Sequence, residues 1–318
     1  MQEVGSRKKE VAGVPVRGTQ SFVHVMGAVW RRPSLTGLEV AWRWVAGVIV
    51  MWVGWAVVEP PFILSGVHWN GLAGSSVFRP VETVQNLDAF AQTMWSGVFP
   101  SLKVVVPAVV VVWLIVAAIG RTVVLQRMDG ALKARRVTLL VLGSVRAGLV
   151  VVVWGLLFGV IRWAVRVTIL GPAVAHAEPN LVLFFAIVIV SAILLYVVWG
   201  IFSWPFYLAP LVAMERGLGP VNALRVALRG GVVRGKLIEI NLVMNIVKIA
   251  VLVLAMVFSA SPLPFSSVET QAFLRTWWGG VILVYLVALD YFHVVRAAAY
   301  LSLWRAYNIS DSGVAAGR

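Results

Sequence analysis

The chain has 318 residues, 60% of them apolar and only 13% charged, with a mean hydropathy of +0.91. A soluble fold of this length carries about twice that share of charge to face water, so a soluble enzyme, a disordered chain and a coiled coil are excluded. Net charge is +14, and its placement along the chain tells more than its sum.

No cysteine is present, which removes disulfides, thiolate nucleophiles and Cys metal sites. His24, His68, His176 and His293 are scattered, without the paired spacing of metal ligands. The reading therefore expects no catalytic residue, no metal and no cofactor.

Taken in chain order, residues 1–40 read as a basic cytoplasmic segment, and no cleavable leader is expected in it. Within it, Ser21 to Trp30 reads as a short interfacial helix ahead of Arg31, Arg32 and Pro33. A helix needs roughly 20 mostly apolar residues to cross the hydrocarbon, and six stretches qualify. They are about 41–58, 104–120, 147–165, 181–204, 238–258 and 277–300. Together they make a six-span membrane domain over 41–306, followed by a flexible tail over 307–318. The first span is expected to act as an uncleaved signal-anchor. The predicted class is all-α: an integral membrane bundle of six transmembrane helices with interfacial amphipathic helices.

Charge orients the bundle. Segments 1–43, 121–146 and 215–237 and the stretch from Arg296 onward hold 21 of the 27 Lys and Arg residues. The three segments of opposite parity hold five, and Lys248 lies within a span. The positive-inside rule puts both termini in the cytoplasm, and nucleic acid is not an expected partner. Trp42, Trp44, Trp277, Trp278 and Trp304 fall at span ends, where aromatic belts form.

Between spans, Val81, Val84, Leu87, Ala91 and Met94 recur with helical spacing. They predict a helix over about 80–95 that covers the outer face or gates it. Pro205 and Pro210 predict a bend at the inner end of the fourth span. Gly217 and Gly219 break the helix there, and Pro220 suits the first turn of a new one over about 221–229. Leu224 and Leu228 share one face of that helix, and Arg225 and Arg229 a neighbouring one. The arginines are the candidate contacts for lipid headgroups.

Three motifs remain. GGVVRGK, Gly230 to Lys236, has the spacing of a phosphate loop, but Leu237 stands where Ser or Thr must hold magnesium. Gly155 and Gly159 form GxxxG, which serves close helix packing within the bundle or between two copies. Asn241, Asn245 and Lys248 lie on one face of the fifth span. Asp290, with His293 three residues on, lies at matching depth in the sixth. A charge at that depth needs a partner, so these five residues are a candidate intramembrane polar cluster. The readings are a structural ion pair, a site for a substrate or proton, and Lys248 snorkelling to lipid.

The stretch PLVAMERGLGPVNALRVALRG resembles the six-helix membrane domain that precedes some bacterial glycerophosphoryl diester phosphodiesterases and also occurs alone. Pro210, Glu215, Gly219, Ala223, Leu224 and Arg225 carry the resemblance. The chain departs from that pattern at Val226, where a serine is usual. The resemblance implies the membrane module, in a bacterial inner membrane, without the soluble catalytic barrel. The expected function is non-catalytic, in a lipid-associated or scaffolding role. Its partners would be membrane phospholipids, and itself or another membrane protein. The alternative is a permease-like transport component using Lys248 and Asp290.

Overall fold

The computed structural model describes residues 18–64, 86, 92, 99–231, 233–260 and 270–315. Among them every regular element is helical. The order is α1 (Gly18–Trp30), α2 (Pro33–Leu64), α3 (Phe99–Met128), α4 (Arg136–Val165), α5 (Gly171–Val174), α6 (Leu181–Phe202), α7 (Pro205–Arg216), α8 (Pro220–Leu228), α9 (Val233–Ala260) and α10 (Gln271–Ala315). Six stretches, Pro33–Pro60, Phe99–Met128, Arg136–Val174, Leu181–Arg216, Val233–Ala260 and Gln271–Ala306, are long and apolar enough to cross a membrane. Each contains one expected span. The helix expected over 80–95 lies outside the described residues, apart from Asn86 and Gln92, both helical.

Two compact units form, one from residues 41–120 and one from 1–40 with 121–318. In the smaller unit the Trp42 and Trp113 rings stand 6.0 Å apart. Gly120 lies against Trp42 so closely that any Cβ there would meet the indole inside 3.0 Å.

In the larger unit α9 lies along α10, α8 against α7, and α4 against both α6 and α7. The centre is α7. Leu208, Ala209, Pro210, Leu211, Val212, Ala213 and Met214 are all buried. By contrast, Trp154, Phe158, Phe185, Ile193, Leu194, Ile282 and Val284 are each more than half exposed. Apolar surface on that scale is untenable in water and suits hydrocarbon. The protein is thus a multi-pass membrane protein.

Local chemistry sets the breaks. Asn180 caps α6 by accepting the Leu183 N–H at 2.9 Å, as an N-cap side chain should. A π-turn over Arg166–Leu170 follows α4, and the Thr168 hydroxyl donates to the Ala164 carbonyl at 2.8 Å. The fourth span stops at Phe202 and restarts at Pro205, so its bend sits at Ser203–Trp204 and Pro210 continues inside α7. Gly217 ends α7 in the left-handed region, at φ 69°, where glycine carries no steric penalty. Pro220 then opens α8 in the first turn.

The N-terminal helix is more than a surface segment. Val29 and Leu35 join Met244, Val294 and Val295 in one buried cluster. The Tyr291 hydroxyl donates to the Met26 carbonyl at 2.9 Å. At the opposite end of the bundle, Trp277 and Trp278 donate their indole N–H groups to the carbonyls of Phe258 and Ser259 at 2.7 and 3.1 Å. The last carbonyls of a helix lack intrahelical donors, so these tryptophans cap α9 as well as sitting at a belt position.

Candidate functional site

Asp290, His293 and Arg296 follow one another a turn apart along α10. Asp290 and Arg296 are buried, and the ring of His293 is nearly so. Around them stand Asn241 on α9, Tyr207 on α7, Arg146 on α4, Arg121 on α3 and Glu39 on α2. Each comes from a different helix, so only the assembled unit brings them together.

Arg296 is the hub. Its Nη1 donates to the Asn241 side-chain oxygen at 3.2 Å, and its Nη2 reaches Nδ1 of His293 at 3.3 Å. Its guanidinium carbon lies 3.7 Å from the centre of the Tyr207 ring. Arginine can only donate, so Nδ1 of His293 accepts and the ring proton sits on Nε2. That nitrogen faces the Glu39 carboxylate at 3.6 Å. Tyr207 is gripped a second time, because Arg146 donates to its hydroxyl at 2.7 Å and also lies over its ring, 4.3 Å from the centre. A guanidinium over an aromatic face is attracted by the ring quadrupole, more strongly where water is excluded.

Asn241 uses its whole amide. Nδ2 donates to the Gly200 carbonyl at 2.5 Å and to the Ser203 hydroxyl at 2.9 Å, while the side-chain oxygen takes the bond from Arg296. The Gly200 carbonyl lies in the last turn of α6, where carbonyls lack helical donors. Asn241 therefore seals the break in the fourth span and ties it to the hub.

The cluster lies at one depth. Glu39 stands six residues from Pro33, Arg121 seven from Met128, Asn241 eight from Val233 and Arg296 ten from Ala306. At 1.5 Å per residue this is roughly 9–15 Å in from the basic ends of the spans. A cavity with about 50 Å³ of room for water-sized molecules opens beside it, walled by Glu39, Arg121, Tyr207, His293, Arg296 and apolar neighbours such as Leu211.

The residues expected from the sequence fall into three groups. Asn241 and His293 are in the hub itself. Asp290 is buried one turn from His293 on α10, and Lys248 is half-buried on α9, which packs along α10. Asn245 holds α9 to α6 instead, its carbonyl accepting the Tyr196 hydroxyl at 3.2 Å. Its amide sits where a Cβ on Gly200 would go, which is why glycine stands there. Arg225 on α8 and Arg229 just past its last residue are both exposed. The buried face of α8 is Ala223 and Ala227, with Leu228 exposed and Leu224 intermediate. Small residues one turn apart allow α8 to approach α7 closely. Gly155 and Gly159 are exposed, with nothing among the described residues within 4 Å of a Cβ added at either.

Sequence reasoning missed Glu39, Arg121, Arg146, Tyr207 and Arg296. The arginines read as orientation charges at span ends. Two signals were available: Glu39 is a carboxylate in a basic setting, and Arg296 lies three residues after His293.

A second cluster closes the basic end. Trp304 donates to Glu215, Arg305 pairs with Asp129 and lies 3.8 Å from Glu215, and Arg216 stacks on the Trp304 ring at 5.1 Å. GGVVRGK follows α8 and its last four residues, Val233 to Lys236, are the first turn of α9, so a helix precedes it where a phosphate loop needs a strand. Among the described residues no group of three His, Cys, Asp or Glu could hold a metal.

Comparison with protein-family models, with curated proteins and with solved structures finds no match. None of them links the chain to the membrane domain of the glycerophosphoryl diester phosphodiesterases.

Proposed function

We propose that this multi-pass protein is a non-enzymatic component of a bacterial inner membrane, with both termini in the cytoplasm, that associates with anionic phospholipid. The observation carrying this reading is the surface of α8. Its alanine face is sealed against α7, while Arg225, Arg229, Val221 and Leu228 all point outward. A short helix fixed by one face, presenting apolar and cationic groups on the other, is built to lie at a headgroup boundary. The proposal includes kinship with the six-helix module named above, the Ala223, Leu224 and Arg225 run being part of this helix.

The test is Arg225→Gln combined with Arg229→Gln. Anionic phospholipid that co-purifies with the detergent-extracted protein should fall, and α8 should become more open to protease. Unchanged lipid content with unchanged protection would reject the reading.

A second reading, a permease-like transport component, draws on the buried hub and its cavity. Polar groups at this depth mark substrate or ion paths in many membrane proteins. Co-purification of an ATPase subunit with the extracted protein would favour it over the first.

A further inference from the structure

The cavity beside the hub is lined by two guanidiniums, Arg121 and Arg296, and one carboxylate, Glu39, while Arg146 holds the hydroxyl of Tyr207 on the same lining. Guanidiniums lining a low-dielectric cavity attract an anion.

Arg296 adds an independent sign. It is 2% exposed and lines the cavity, and its Nε has no hydrogen-bond partner among the described residues. Each Nη already gives one proton, to Asn241 and to His293, while the Nε–H gives none and is a donor for an incoming group. Tyr207 is primed in the same sense. Its oxygen accepts from Arg146, which leaves its own proton to be donated.

We propose that this pocket is an oxyanion site that takes a phosphate group, either free or as the headgroup of an anionic lipid. The Arg296 Nε–H, the Arg121 guanidinium and the Tyr207 hydroxyl are its donors, reaching from three helices. Donors spread in this way suit a tetrahedral oxyanion better than a planar one. Arginine is the side chain best matched to phosphate oxygens. Glu39, on the same wall, opposes the anion and limits its affinity. The site is separate from the α8 surface, so it stands or falls independently of the lipid contacts at Arg225 and Arg229.

The experiment uses the full chain in a non-ionic detergent and calorimetric titration. One arm adds inorganic phosphate, and the other adds short-chain phosphatidylglycerol, with short-chain phosphatidylcholine as the zwitterionic control. Saturable binding is expected in one arm, and that arm identifies the source of the phosphate. Arg121→Gln should weaken it by about tenfold or more, while Glu39→Gln should tighten it several-fold. Opposite signs are the signature of an anion, since structural damage would weaken both. Should Arg121→Gln fail to fold, Arg121→Lys keeps the charge, and its weaker loss reads the same contact. Absence of saturable binding in both arms up to about 10 mM, equal binding of phosphatidylcholine, or shifts of the same sign in the two variants would each overturn the proposal.

Discussion

Trp304 donates its indole N–H to the carboxylate of Glu215 at 2.6 Å, joining the last turn of α7 to α10 across 89 positions of sequence. The carboxylate accepts from an indole on one oxygen and meets Arg305 with the other. A bond to a charged acceptor contributes about 1.5–3 kcal/mol. Glu215→Ala should therefore lower the Tm in mild detergent clearly. Glu215→Gln, which keeps an acceptor for Trp304, should lower it less. Equal losses would mean that the indole bond contributes nothing.

Asn241→Leu removes three hydrogen bonds at once, leaving the Gly200 carbonyl and one Arg296 donor short of partners. Each buried group so orphaned costs about 1–3 kcal/mol. The folded yield in detergent should drop strongly, and more than for Asn245→Leu, whose bond from the Tyr196 hydroxyl runs through its backbone carbonyl. Matching yields for the two variants would contradict the sealing role given to Asn241.

Lys248 and Asp290 are proposed as an ion pair between α9 and α10. Removing one member of a buried pair leaves the other uncompensated, at a cost of about 3–5 kcal/mol. Lys248→Met or Asp290→Asn alone should reduce folded yield, and the double variant should recover much of it. A double variant as damaged as the two singles added together would show that they do not pair.

Orientation is tested by fusion of a reporter active only in the cytoplasm. Activity is expected after Arg127, Arg234 or Asn308, and silence near Ser76 or Ser266. Activity at Ser266 would remove the proposed topology.

Much of the architecture is a one-dimensional property. A run of about 20 apolar residues spans a membrane whatever surrounds it, so six spans can be read from the chain alone. Pro205, Gly217 and Pro220 act on their own backbone, so the ends of α7 and the start of α8 are legible within a few residues as well. The spacing of Asn241, Asn245 and Lys248 likewise places them on one face of α9 without further information.

What tertiary structure decided is the partner of each polar group. Amphipathicity puts Leu224 and Leu228 on an apolar face of α8, yet Ala223 and Ala227 are the residues buried, because close approach to α7 favours small side chains over apolar ones. Asn241 and Asn245 share a face, but one serves the hub and the other the α6 contact, since the break at Ser203 exposes carbonyls at only one level. Arg121, Arg146 and Arg296 look like any other basic residue near a span end. They gather only because helices distant in sequence bring them to one depth around Tyr207, together with Glu39. Charge counted along a chain sets orientation, while charge gathered in a low-dielectric interior sets chemistry, and only folding turns the first into the second.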